Sequence, residues 1–117
     1  MKATYDSIPA LVQREGSCLR IFHSFEPVTV TDKDTTRTNF VGRSVDIDGA
    51  SDYPSIVSAI FRDLYPDSVK DAILLNRELV RDNPDHEKTV KYIAEYEAMQ
   101  RFRTQAKLIA TEVIAAL

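Results

Sequence analysis

The last part of the chain most strongly constrains the fold, because residues 85–117 contain neither glycine nor proline. Asn83 is a suitable helix cap, and Pro84 suits a first helical position. We therefore predict a helix that begins near Pro84 and continues without a break through Arg103. More than thirty helical residues would extend for roughly 50 Å, whereas the radius of gyration of a compact domain of this length is about 13–14 Å. Such a helix must kink, divide in two, or pack its free end against something else.

The apolar residues of this helix suggest two different tasks. We expect Val90 and Ile93 to close the core of the domain. Further along, large apolar residues recur at spacings of three and four, which is typical of a buried helix face. We expect that face to be covered either by the sheet or by a second copy of the protein. The candidate partner contacts are Tyr96, Phe102, Ile109, Val113 and Leu117.

The first half of the chain has the alternation and the turn residues of a β-sheet. Strands are predicted within residues 7–15, 17–32 and 40–49, with a tight turn at 15–17. A bulge or bend near Glu26 and Pro27 could exchange the two faces of the middle strand. The polar segment 32–39 is predicted to be an exposed hairpin tip. On the last strand, the face that bears Val41, Val45 and Ile47 should be the buried one.

The second half is rich in helix formers. Ser51 or Asp52 can cap a first helix, whose Ile56, Ile60 and Phe61 should pack against the sheet. Pro66 ends this helix and allows a second one over residues 67–83. The fold class is therefore α+β: a three-stranded antiparallel meander followed by three helices, the last one long. Residues 1–117 form a single domain, with a β-rich half (1–49) and a helical half (50–117).

Composition argues against several classes of function. The single cysteine, Cys18, excludes an intrachain disulfide. With two histidines and three glycines, the chain contains no HExxH, CxxC, GxxxxGK[ST] or GxSxG motif. The Asp46–Asp48–Gly49 sequence resembles part of a calcium loop but lacks its first carboxylate and its final glutamate. We expect no enzymatic activity, no metal and no cofactor.

Targeting signals are also not evident. No N-terminal apolar segment resembles a signal peptide, and no apolar run approaches the ~20 residues of a membrane span. We therefore expect a protein without membrane association, located in the cytoplasm of the host cell or in a virion.

A basic segment of the long helix offers an alternative function. Arg101, Arg103 and Lys107 lie among aromatic residues, a combination that can bind phosphates and stack bases. The same side chains can instead pair with acidic neighbours along the helix. Because the net charge is −3, nucleic acid is the less favoured partner. The favoured function is a non-enzymatic interaction or assembly protein that binds a protein partner or itself; the alternative is a small regulatory or nucleic-acid-binding protein.

The two ends of the chain, MKATYDSIPALVQREG and YEAMQRFRTQAKLIATEVI, resemble short proteins encoded in the structural-gene regions of bacterial prophages. The similarity covers about half of the chain and includes no catalytic motif. It implies an accessory or structural role in phage head or tail assembly, and no functional residue is carried over from it.

Overall fold

A computed structural model describes residues 2–49 and 52–117, and it confirms the α+β class. This part of the chain contains four strands and three helices. Their bounds are β1 Lys2–Tyr5, β2 Val12–Glu15, β3 Cys18–Asp32, β4 Thr35–Asp48, α1 Tyr53–Leu64, α2 Asp67–Asp82 and α3 Thr89–Ala116.

The sheet has four strands in the order β1-β4-β3-β2, so the prediction of three strands is wrong. The missed strand, β1, pairs antiparallel with β4 from Lys2 opposite Arg43 to Tyr5 opposite Phe40. It was missed because its four residues are too few to show a clear alternation of apolar and polar side chains, and because its partner strand, β4, lies far along the chain. The strand predicted within residues 7–15 is confined to Val12–Glu15. Ile8 lies before it and is 57% exposed.

The two strands of the β3–β4 hairpin are much longer than the flanking strands β1 and β2. Its strands pair as far as Asp32 opposite Thr35, and Lys33 in the turn has a positive φ of 52°. Residues 32–38 are exposed, which confirms the predicted exposed tip, but Asn39 is buried. The hairpin therefore extends as a two-stranded arm beyond the strands that flank it.

A β-bulge separates this arm from the body of the sheet. His23 pairs with Arg43 and Glu26 pairs with Val41, so Ser24 and Phe25 together oppose Gly42. Ser24 has a φ of 58°, the left-handed conformation of the first residue in one type of bulge. The bulge lies two residues before the predicted position at Glu26 and Pro27. It turns the Phe25 ring onto Gly42, where a Cβ atom would overlap it.

The helices cover one face of the sheet. Asp52, one of the two predicted caps, caps α1, since its carboxylate accepts a hydrogen bond of 2.9 Å from the Ser55 amide. The other, Ser51, lies outside the described residues. On the inner face of α1, Ile56, Ile60 and Phe61 are buried. Val45 and Ile47 of β4 pack against this core, as predicted, whereas Val41 is half-buried and is not part of it. The sheet face that bears Phe22 and Phe25 is the opposite one, where Tyr5 joins them at ring distances of 5.8 and 5.9 Å.

The long helix is continuous over 28 residues, or about 42 Å. It begins at Thr89 and not near Pro84, because residues 84–88 form turns. There the backbone amide of Lys88 donates to His86 Nδ1 at 3.0 Å, and the Thr89 hydroxyl donates to the His86 carbonyl at 2.8 Å. Val90 is 83% exposed, so the prediction that it closes the core is wrong. The buried positions lie further on, at Met99, Ala106, Ile109, Ala110 and Val113.

The length of α3 is explained by two successive neighbours. In its first half, the Tyr96 ring contacts the guanidinium of Arg77 on α2. Near its middle, Phe102 packs against Phe61 and Tyr65 at the end of α1. Its second half enters the core shared with α1 and the sheet. Two helices side by side on one sheet, with an arm projecting from it, give a flat molecule of 49 × 46 × 21 Å. The radius of gyration is 17.6 Å, against about 13 Å for a compact domain of this length.

Candidate interaction surface

Helix α2 carries more apolar residues than its contact with α3 can bury. Ile73 and Val80 are buried, and they lie seven positions apart on one face of the helix. Leu75 and Leu79, four positions apart, lie on a different face, where Leu75 is 67% exposed. Leu74 is also exposed. A helix that is apolar on its outer face as well as its inner face is typical of one that contacts a second surface.

Leu74 and Leu75 line a shallow concavity. Its volume is about 560 Å³, and it is lined by Asp71, Leu74, Leu75, Arg77, Glu78, Arg81 and Tyr96. The guanidinium of Arg77 lies over the Tyr96 ring, 5.6 Å from its centroid. The lining combines two leucines and a tyrosine with charged side chains of both signs. Protein interfaces likewise combine apolar and aromatic side chains with polar ones. We call this set of residues, together with Leu79, the outer α2 surface.

The five candidate partner contacts do not lie together. Tyr96 belongs to the outer α2 surface, and Leu117, 49% exposed, lies at the far end of α3. Phe102 is half-buried beside α1. Ile109 and Val113 are in the core of the same chain, which is one of the two locations expected for them. The leucines of α2 were not among the predicted contacts.

The three basic residues of α3 are also divided. Arg103 and Lys107, four positions apart, line a second concavity of about 270 Å³ between α1, α2 and α3. Arg62 and Lys70 line it as well. Arg101 is exposed and is not one of its lining residues. Residues two positions apart on a helix point about 200° apart, so a single face could not have held Arg101 and Arg103 together.

A polar network joins the sheet to α1. His23 is buried on β3, and its Nε2 lies 2.9 Å from Oδ2 of Asp63. The Asp63 carboxylate also accepts a hydrogen bond of 2.7 Å from Nε of Arg43 on β4. Because an ionised carboxylate can only accept, Nε2 of His23 is the protonated nitrogen. Its Nδ1 then accepts from the Ser24 hydroxyl at 2.9 Å.

Ser24, His23 and Asp63 are connected in series by hydrogen bonds, like the Ser-His-Asp triad of hydrolytic enzymes. The presence of Arg43 alters the chemistry. In such enzymes the aspartate stabilises the imidazolium that forms during the reaction. Here the guanidinium of Arg43 already compensates the charge of Asp63. Burial lowers the pKa of His23, an effect that exceeds the opposing attraction of Asp63. The arrangement therefore suits a neutral histidine within a network that connects β3 and β4 to α1.

The pKa of Asp63 is governed by opposing influences. Burial of the carboxyl acts to raise it, but the hydrogen bond from Arg43 and the nearby positive charge together outweigh burial. The pKa of Asp63 is consequently lowered from its ordinary value. An ionised Asp63 is what both Arg43 and the Nε2–H of His23 require as a partner.

Comparison of the chain with protein families, with characterised proteins and with solved structures finds no significant match. Residues 2–49 and 52–117 contain no cluster of three or more His, Cys, Asp or Glu side chains placed to hold a metal ion. Within the same residues, no helix has both the length and the apolar character needed to cross a membrane.

Proposed function

We propose that this protein is a non-enzymatic interaction protein that assembles with a second copy of itself through the outer α2 surface. The observation that carries the proposal is the exposure of Leu74 and Leu75, which line one concavity, and of Leu79 on the same helix. Complete burial of a fully exposed leucine contributes roughly 1.5–3 kcal/mol, and these three leucines would gain a part of that because they are 39–67% exposed. Exposed apolar side chains grouped on one helix of a folded domain mark a protein interaction site.

The distribution of charge favours a second copy as the occupant. Along α2, acidic Asp71 comes early and basic Arg81 comes late, with the exposed Leu75 between them. If two copies pair with their α2 helices antiparallel about a two-fold axis near Leu75, Asp71 of each copy faces Arg81 of the other. A two-fold interface requires this kind of self-complementarity, in which one patch matches itself.

Light scattering and sedimentation velocity on the full chain test this proposal. We expect a dimer whose population increases with concentration, and we expect Leu75→Glu to abolish it by placing charge at the centre of the interface. The matched control is Leu108→Glu, because Leu108 is 57% exposed but lies on α3 outside the outer α2 surface. A protein that stays monomeric at millimolar concentration would overturn the second copy as the occupant.

A charge exchange tests the orientation. Asp71→Arg and Arg81→Asp should each weaken the dimer, because each places like charges opposite one another. The double variant Asp71→Arg/Arg81→Asp should restore it if the helices are antiparallel. Equal dimerisation by all three variants would exclude the antiparallel arrangement.

A more specific role, as an accessory of phage head or tail assembly, is supported only by the resemblance of the two ends of the chain to prophage-encoded proteins. Mass spectrometry of purified virions tests this role. Recovery of the protein in stoichiometric amounts would support a structural position, and its complete loss on purification would restrict it to the assembly process.

A further inference from the structure

We infer that the concavity between α1, α2 and α3 is a binding site for a phosphate group. It lies between the helices at the start of α2 and is distinct from the outer α2 surface. Its volume is about 270 Å³, and its lining residues are Val57, Ser58, Phe61, Arg62, Asp67, Lys70, Arg103 and Lys107.

Four cations from three helices converge here. Arg62 comes from α1, Lys70 from α2, and Arg103 and Lys107 from α3. Asp67 is the one carboxylate among the lining residues, and its Oδ1 is 3.9 Å from Nε of Arg62 and 3.8 Å from Nζ of Lys70. The lining therefore has four positive charges and one negative, a local excess of three in a chain whose net charge is −3. Like charges that line one concavity repel one another, and a bound anion relieves that repulsion.

Arg103 is held in place by an aromatic ring. Its guanidinium carbon lies 4.8 Å from the centroid of the Phe61 ring, within the range of a cation–π contact. Phe61 is buried and packs on Phe102, so the platform under the guanidinium belongs to the core. A guanidinium fixed in this way loses less conformational freedom when it binds an anion than a free one does.

The start of α2 adds a further positive influence. Its N-cap residue is Pro66, and none of the described side chains caps this end of the helix by a hydrogen bond. The first amide groups of a helix carry partial positive charge along the helix axis and favour phosphate. Both Asp67 in the first turn and Lys70 one turn later line the concavity, so the uncapped end lies at the site.

The size of the site indicates the class of ligand. A concavity of this volume is smaller than most sites for drug-sized ligands, which run from about 300 to 1,000 Å³. It has room for a phosphate group, and the guanidinium groups can bind two oxygens of one phosphate. That group can be a free phosphate or one carried by a polynucleotide backbone, and the two sources differ in how binding responds to salt.

The test is a titration of the full chain with inorganic phosphate at constant ionic strength and pH. Binding is measured by the change in the NMR chemical shifts of the backbone amides. We expect phosphate to cause saturable shifts at the residues that line the concavity. A control titration with chloride in place of phosphate should cause no such shifts. Lys107→Glu should raise the Kd at least about tenfold, since it reverses one of the four charges. Lys91→Glu, an equal charge change elsewhere on α3, should alter the Kd less than about twofold.

Asp67→Asn provides a second variant whose effect cannot come from unfolding. Removing the one carboxylate should tighten phosphate binding severalfold, the opposite of what damage to the fold would do. Unsaturable shifts, or a Kd unchanged in both Lys107→Glu and Asp67→Asn, would overturn the assignment.

A parallel titration with a fluorescent single-stranded oligonucleotide distinguishes the sources. If the oligonucleotide binds with a steep salt dependence and the same response to Lys107→Glu and Asp67→Asn, the phosphate is that of a polynucleotide backbone. If only inorganic phosphate saturates the site, the ligand is a small phosphate. Absence of binding in both titrations refutes the proposal.

Discussion

Nε2 of His23 lies 2.9 Å from Oδ2 of Asp63, so a buried imidazole on β3 is held by a carboxylate on α1. This bond crosses 40 positions of the chain and joins the two halves of the domain. Arg43 binds the same carboxylate from β4. The three side chains make the contact between sheet and helix sensitive to protonation.

We predict that the protein loses stability as the pH falls from 8 to 5. Burial lowers the pKa of His23 in the folded state, so below the ordinary value of 6.5 the unfolded chain binds a proton that the folded chain does not. Stability therefore decreases as the pH falls through 6.5. Urea unfolding across this range measures the slope, and His23→Gln should flatten it. An equal slope in both proteins would show that His23 is not responsible.

A second loss is expected at lower pH. The pKa of Asp63 is lowered from its ordinary value of 3.8, so its contribution is complete above that value and disappears as the pH falls through the folded-state pKa. Asp63→Asn should therefore destabilise the protein at pH 7 and much less at pH 2–3. Unfolding measured at both pH values separates this effect from a loss that does not depend on protonation.

Ile60→Ala should cost roughly 2–5 kcal/mol of unfolding free energy, because it leaves a cavity at the centre of the core. Ile60 is fully buried on the inner face of α1. Ile8→Ala is the matched control, because Ile8 is mostly exposed and the change should stay within about 0.5 kcal/mol. Chemical denaturation of the two variants measures both losses of unfolding free energy. Similar losses would contradict the burial of Ile60 on the inner face of α1.

Gly42→Ala should destabilise the sheet by about 1–3 kcal/mol, the usual cost of overpacking. A methyl group at this position would overlap the Phe25 ring, which the bulge directs onto Gly42. In a Phe25→Leu background the same substitution should cost less, since the ring is gone. Denaturation of the four members of this double-mutant cycle measures the coupling, and strict additivity would contradict the contact.

Removing residues 106–117 should unfold the domain, because Ala106, Ile109, Ala110 and Val113 belong to its core. Removing only residues 114–117 should cost less than about 1 kcal/mol, as these positions are exposed. Circular dichroism of the two truncated chains distinguishes the outcomes. A folded sheet after the longer deletion would show that the end of α3 is not a core element.

Local patterns predicted the parts of this fold that depend on local physics. The alternation of Val45 and Ile47 with polar neighbours indicated the buried face of β4, and Asp52 was identifiable as a cap. The start of α3 was misplaced because His86 and Thr89 make turn-forming hydrogen bonds that compete with helix. Val90, in the first turn of the observed helix, is exposed.

The candidate sites depended on contacts between distant parts of the chain. Nothing adjacent to Lys107 in sequence indicates Arg62 or Lys70, which reach the same concavity from other helices. Likewise, the spacing of Leu75 and Leu79 indicates an apolar stripe but not which of several stripes α3 covers. That choice is made by the packing of α2 on α3, through Ile73 and Val80.

The flatness of the molecule has a hydrodynamic consequence. A slab 21 Å thick with lateral dimensions of 49 and 46 Å experiences more friction in water than a sphere of the same mass. A single copy will therefore elute from a gel-filtration column ahead of spherical standards of 13.2 kDa, at a position that imitates a larger particle. Two copies joined through the outer α2 surface would shift that position further, and only a mass measured independently of shape assigns either peak.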